Sequence, residues 1–158
     1  MTAAANQRAT NTTTAPNINT TSSLLLGLVY VSAAAPPAGR TLIAQAANNE
    51  VQHNTSDRLT GRFNGVAVAQ AVDPGGFRFL AHQIDRTNAV ARLITDQASS
   101  VGTYNVAITG VGTGIGAAGG TPDPSQYLRL WQYTGAAAEI SAVQIKAIGQ
   151  ALGVTFAW

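Results

Sequence analysis

The chain contains no cysteine. That excludes disulfides, thiolate nucleophiles and cysteine metal sites, so the fold does not depend on an oxidising compartment. Charge is scarce too: Asp, Glu, Lys and Arg together make up 10% of the 158 residues, where a soluble domain carries about 25%. A surface so poor in charge predicts neighbours. Lysine is all but absent, because eight of the nine cations are arginine. The planar guanidinium suits interfaces, and codon bias in a GC-rich genome accounts for the same count. The net charge of +2 arises from nine cations against seven anions with no basic run. The clustered cations that neutralise phosphates are therefore missing, and nucleic acid is not an expected partner. No apolar run is long and unbroken enough to span a bilayer, so no membrane partner is expected either.

What is present is extended, alternating sequence. At this length one domain can bury roughly two thirds of its unfolded surface and needs no covalent staple. The centre of the pattern is Leu59 to His82. Val66, Val68 and Gln70 alternate with Ala67, Ala69 and Ala71; Val72-Asp73-Pro74-Gly75-Gly76 supplies a turn; Phe77, Phe79 and Ala81 then alternate with Arg78, Leu80 and His82. Period 2 on both sides of a Pro-Gly turn predicts a β-hairpin or β-corner.

Before this lie a Thr-, Asn- and Ala-rich stretch, residues 1–22, expected to be an extended arm, and then the domain proper, 23–158. The arm is too polar to offset its ordering entropy alone, and its candidate partner contacts are Thr12, Pro16 and Ile18. Ser23 to Ala35 has the small-residue end of a signal peptide but no charged segment before it, so it reads as a buried strand, Leu24 to Ser32. Arg40 to Ala47 predicts a second strand, and Asn48 to Thr60 a polar turn region. Ile84 to Asn88 predicts a loop, and Ala89 to Thr95 a strand or one helical turn, with strand favoured. Asp96 to Gly102 predicts a turn, Tyr104 to Thr109 a strand, Gly110 to Pro124 a glycine-rich loop, and Tyr127 to Tyr133 an aromatic strand. Ala136 to Leu152 carries Ile140, Val143, Ala147, Ile148 and Leu152 at helical spacing with Gly153 as its cap, which predicts one helix covering an open sheet face or edge. Val154 to Trp158 closes the chain as an apolar strand or plug. The fold class expected is mainly β: a β-sandwich or β-tulip-like module with an arm and one C-terminal helix near 137–152.

Candidate chemistry is thin. Gly114-Ile-Gly116-Ala-Ala-Gly119 has dinucleotide-loop spacing, but Gly120-Thr-Pro-Asp-Pro follows where a helix should open, so it reads as a loop. His53 and His82, the only histidines, lack a second ligand at metal spacing, and Asp57 and Asp85 nearby serve equally as turn formers. No serine sits in a nucleophile elbow, and nothing selects two of the seven acids as a hydrolytic pair. Asn11, Asn19 and Asn54 begin glycosylation tripeptides that chance alone supplies in so Asn- and Thr-rich a chain. No cofactor, no metal and no catalytic residue are expected.

Gly27-Leu-Val-Tyr-Val-Ser32, then Phe63-Asn-Gly-Val-Ala-Val-Ala69, then Asp73-Pro-Gly-Gly-Phe-Arg-Phe resemble the small β domains of tailed-bacteriophage capsid decoration (cement) and head-surface proteins. The resemblance covers Leu24 to Gln83. It implies a non-enzymatic virion protein, made in the host cytoplasm and placed on the capsid surface. Its partners would be the major capsid protein and copies of itself, most simply in a trimer. The rival expectation is a carbohydrate-binding or adhesin-type β module, including a tail or fibre component. Such a module would present Tyr127, Arg129, Trp131 and Tyr133 from one face of a strand as a ligand or oligomer surface, although the same face also reads as core.

Overall fold

The leucine-rich segment near the start of the domain is an interior strand, buried on both faces. In a computed structural model of the chain, Leu24–Ser32 is buried at every position except Val31, the pattern of a strand covered on both faces. The structure describes residues 9–11, 23–32, 39–44, 50–55, 58–63, 66–73, 75–103, 113–115, 121–122 and 125–158. Among these the strands are, in chain order, β1 (Ala9–Asn11), β2 (Leu24–Ser32), β3 (Arg40–Ala44), β4 (Glu50–Thr55), β5 (Arg58–Phe63), β6 (Val66–Val72), β7 (Gly76–Asp85), β8 (Val90–Thr95), β9 (Ser99–Thr103), β10 (Thr113–Ile115), β11 (Thr121–Pro122) and β12 (Gln126–Thr134). A 3-10 turn, Gly135–Ala138, and the helix α1, Ala142–Ala151, complete the elements.

The strands form two sheets, as the mainly β reading expected. One has five strands in the order β12-β2-β7-β8-β9; the other has seven, running β1-β10-β3-β4-β5-β6 with β11 beside β3. All pairings are antiparallel except β11 with β3. Between the sheets Leu24, Leu26, Leu28 and Tyr30 of β2 and Leu80 and Ile84 of β7 meet Leu42, Val51, Leu59 and Ala71 of the opposite sheet. The other face of the five-stranded sheet carries Leu25, Val29, Phe79, Ala81 and Ile94, and it is covered by Ala138, Ile145 and Val154. The chain is therefore layered as a cap, a sheet, a core and a second sheet.

The glycine-rich turn after β6 is a corner. β6 pairs with β5 in one sheet and β7 with β2 and β8 in the other, so the two strands never pair. Gly75 and Gly76, at φ +85° and +80°, take the left-handed conformations that the crossing needs. Asp73 accepts the Gly75 N–H at 2.9 Å and ties the corner down.

Several expected loops are strands. Asn48 to Thr60 contains β4 and the start of β5, because its alternation places Val51, His53 and Leu59 inward and Glu50 and Gln52 outward; counting His53 as polar hid the period. β7 extends to Asp85, whose carboxylate accepts from the Asn88 backbone and amide at 3.0 and 2.8 Å. The Asp96 turn is shorter than expected, since Thr95 Oγ1 accepts from the Gln97 and Ala98 N–H groups and β9 begins at Ser99. Val90–Thr95 is strand. β10 and β11 lie inside the expected glycine-rich loop, held by pairing with β3. The expected strand over Tyr104 to Thr109 lies outside the described residues. Of the N-terminal stretch, Ala9–Asn11 pairs with β10 of its own chain, while Thr12, Pro16 and Ile18 lie outside the described residues.

The C-terminal helix is shorter than its periodicity suggested. Ser141 Oγ accepts from Gln144 N while the Gln144 side chain accepts from Ser141 N, a reciprocal cap that starts α1 afresh at Ala142. The buried helix face is Ile145 and Gly149. Val143 is 70% exposed and Ala147, one turn on, is exposed too, so the side of the helix through these two points away from the sheet, while Leu152 is its C-cap and lies outside the helix. Gly149 is the point of closest approach, because a Cβ there would lie 2.5 Å from the Phe156 ring and 2.9 Å from Phe79. Gln83 pins the cap from below, donating to the Ala138 and Ile140 carbonyls at 2.6 and 2.7 Å while accepting from Arg92. The C-terminal tail is irregular rather than a strand. Ala157 N donates to Asp96 O, Trp158 Nε1 donates to Thr95 O at 3.0 Å, and Lys146 Nζ sits 4.7 Å from the Trp158 ring centroid.

Candidate functional site

The four residues proposed to share one face of β12 do not share it. The register of β12 against β2 shifts between Tyr127 and Arg129, a β-bulge at Leu128. One extra residue reverses the parity of everything beyond it. Tyr127, opposite Tyr30, is buried in the core between the sheets. Arg129, Trp131 and Tyr133 fall on the other face, opposite Val29, Gly27 and Leu25.

Trp131 there belongs mostly to the capping layer. Its indole lies across Gly27 and 5.9 Å from the Phe79 ring, packed on the same cluster as Ile140 and Phe156. Its N–H is buried with no acceptor, so packing holds the ring in place. Tyr133, 6.1 Å from Trp131, is 42% exposed, and Arg129 is also exposed. A Cβ on Gly27 would lie 1.9 Å from the indole. Gly27→Ala is therefore expected to expel Trp131 and cost on the order of 2–4 kcal/mol. A red-shifted tryptophan emission with a lower melting temperature is the expected readout.

The histidines do not form a metal site. His53, from β4, lies between the sheets with its Nε2 3.0 Å from Asp73 Oδ2, and Tyr30 of β2 donates to the same oxygen at 2.7 Å. Burial alone would push the Asp73 carboxyl up, but hydrogen bonds from His53, Tyr30, Gly75 N and Ser32 outweigh it and hold it below its ordinary value. With both His53 and Asp73 shielded from solvent, the trio ties β2, β4 and the corner together. His82 faces the core between Leu26 and Leu93, opposite Gly61 of the other sheet; burial pulls its pKa down to about 3. Asp85 shapes the β7–β8 turn, and Asp57 lies outside the described residues. Among the described residues no three His, Asp or Glu gather as metal ligands. Gly114 is in β10, and the residues after Ile115 in the glycine motif lie outside the described set.

A different cluster emerges on the outer face of the seven-stranded sheet. Cross-strand pairing sets Thr41 opposite Gln52, Gln52 opposite Thr60 and Glu50 opposite Arg62, so all five point to the side away from the core. They form one connected row. Thr41 Oγ1 donates to Glu50 Oε2 at 3.0 Å, Gln52 Nε2 donates to Glu50 Oε1 at 2.7 Å, and Arg62 Nη1 donates to Gln52 Oε1 at 3.1 Å. Burial pushes the Glu50 carboxyl above its ordinary value, against the hydrogen bonds of Thr41 and Gln52 and the attraction of Arg62. Thr60, 5% exposed, has its hydroxyl buried without a partner. Arg58, exposed, continues the row at the far end of β5.

The sandwich thus treats its two outer faces differently. One is sealed by apolar contacts from the C-terminal cap; the other gathers a guanidinium, a primary amide, a carboxyl and two hydroxyls. Thr41, Glu50 and Thr60 are buried there, which leaves Gln52, Arg62 and the neighbouring Arg58 as the accessible members, a set that suits a ligand rich in hydroxyl or carboxylate oxygens. Sequence reasoning missed it because Glu50, Gln52 and Thr60 lie where a turn was expected. The signal available was the alternation Glu50-Val51-Gln52-His53.

No family model matches the chain, and no curated protein matches it in sequence. Its fold does have counterparts among solved structures. The CBM40 domain of the Ruminococcus gnavus IT-sialidase, solved bound to alpha2,3 sialyllactose, is similar over 80% of this chain and 82% of its own, with a TM-score of 0.54 at 14% identity. The structure of the same domain described without that ligand gives the same figures. The binding domain of Botulinum Neurotoxin DC, in complex with SialylT, is similar over 83% of this chain and 35% of its own, with a TM-score of 0.54 at 11% identity. At such identities the likeness is one of fold, and the fold it establishes is the β-sandwich of these carbohydrate-binding domains.

Proposed function

We propose that this protein is a carbohydrate-binding β module rather than an enzyme, and that it takes an acidic, sialylated glycan on the outer face of β3, β4 and β5. The observation that carries the reading is the fold it shares with the sialyllactose-bound domain along 80% of its length. The polar row gives that fold a place for the ligand. Arg62 and Arg58 supply guanidinium groups for a carboxylate, and Gln52, held in place by the buried Thr41–Glu50 pair, supplies an amide partner. Glu50, which burial favours in its neutral form, lowers the repulsion a sugar acid would otherwise meet.

Calorimetric titration with alpha2,3-sialyllactose tests this. The expected result is saturable binding, weaker for lactose, and weakened about ten- to hundredfold in Arg62→Ala, the loss of one charge-assisted hydrogen bond set. Tyr133→Ala, on the opposite side of the sandwich, should leave the affinity unchanged. Loss of binding in Tyr133→Ala with Arg62→Ala intact would move the site to β12. The resemblance to phage head-surface proteins has no counterpart among the structural neighbours described above. It would regain ground only if the protein bound no glycan and instead saturated fixed positions on capsid shells.

A further inference from the structure

We propose that β12 is the seam of a homodimer, two copies joining their five-stranded sheets edge to edge, antiparallel about a two-fold axis. β12 is an outer strand of its sheet among the described residues, bonded to β2 on one side alone. It is nine residues long, and Arg129 is its one charged residue. Leu128, Leu130 and Tyr133 are 37%, 39% and 42% exposed along it. Edge strands that remain solitary are short, charged or covered. The opposite edge of the same sheet fits that description: β9 has five residues, Ser-Ser-Val-Gly-Thr, and lies beside β6.

The occupant that fits β12 is β12 itself. A two-fold axis normal to a sheet places side chains of equal parity opposite one another. Beyond the bulge at Leu128 the regular segment is Arg129 to Thr134. Centred on Trp131, the pairing sets Arg129 against Tyr133 of the other copy, twice, and Leu130 against Gln132, also twice. The only charge on the strand then meets an aromatic ring instead of its own copy. Exposed apolar surface is removed from water on both sides of the seam.

The symmetry has a consequence for binding. An axis normal to the sheet leaves both seven-stranded sheets on the same side, so the two polar rows face the same way. A surface carrying many glycans would be gripped by two sites at once, with apparent affinity raised by effective concentration. This consequence rests on the glycan-binding reading, whereas the seam does not.

Light scattering with size exclusion at tens of micromolar should give twice the monomer mass of 16.2 kDa. Leu130→Lys places two cations at the seam and should give a folded monomer, with an unchanged circular dichroism spectrum and a melting temperature lowered only by the lost association. Val101→Lys, on β9 at a side chain 64% exposed, should remain dimeric. On a surface coated with alpha2,3-sialyllactose the wild type should dissociate about ten- to hundredfold more slowly than Leu130→Lys, while the free sugar binds both equally. A monomeric or trimeric wild type, or a dimer that survives Leu130→Lys and fails in Val101→Lys, would overturn the seam. Failure of the free sugar to bind either protein, with the masses as expected, would overturn the glycan reading and leave the dimer standing.

Discussion

Acidification from pH 7 to pH 4 should destabilise the folded protein by about 3 kcal/mol through His82 alone. In the unfolded chain this imidazole takes a proton below its ordinary pKa of 6.5; in the core burial holds it neutral until about pH 3. Its contribution is therefore complete above 6.5 and is lost as the pH falls toward 3, at about 1.4 kcal/mol per unit. Across the whole window that is roughly 5 kcal/mol, comparable to the entire stability of many domains. Two carboxyls modify the slope. Asp73, held below its ordinary value of 3.8, adds stability above that value and loses it as the pH falls through its lowered pKa. Glu50, raised above 4.5, works in the opposite sense, since its cost appears as the pH rises through its raised pKa. Urea unfolding of the wild type and of His82→Gln at pH 7 and pH 4 isolates the imidazole. The wild type should lose about 3 kcal/mol more than the variant between the two pH values. Equal losses would show that the imidazole is protonated in the folded core.

Ile145→Asp should unfold the protein or detach its C-terminal cap, at a cost of several kcal/mol. Ile145 is fully buried on the sheet face with Leu25, Val29 and Phe79. A carboxylate there has neither water nor a cation to pair with. The comparison is Ile148→Asp, a turn away at a half-buried position, which should cost about 1–2 kcal/mol. Trp131 and Trp158 both pack on the same cluster, so their fluorescence reports the cap separately from the strands. A melting temperature lowered more by Ile148→Asp than by Ile145→Asp would mean that α1 turns a different face to the sheet.

These expectations depend on features that the sequence expressed unevenly. The unbroken apolar segment Leu24 to Ser32 and the alternation after Gly76 were legible, because burial on one or both faces leaves a direct trace in residue order. The helix was legible in kind but not in start. Its apolar residues fit one continuous helix from Ala136, yet the Ser141–Gln144 reciprocal cap divides that span, and Ile145 with Gly149 faces the sheet. The capping pattern Ser-x-x-Gln was there to be read. The polar row was not read, because its strands carry His53 as their inward residue, and a histidine joins a core only where a partner such as Asp73 awaits it.

The sequence by itself determined that this protein is β-rich, independent of disulfides, poor in surface charge and closed by a C-terminal helix. These are properties of composition and of local period, which survive in any arrangement of the elements. The tertiary structure alone decided which strands share a sheet. The Asp73 to Gly76 turn has the same residue chemistry whether the next strand pairs back or crosses over, and here it crosses. It alone decided the parity of β12, since a single bulge residue sends Tyr127 into the core and Trp131 to the cap. It alone assembled Thr41, Glu50, Gln52, Thr60 and Arg62, which three strands bring side by side. Cross-strand register is set by the packing of distant residues, and no window of sequence contains both partners.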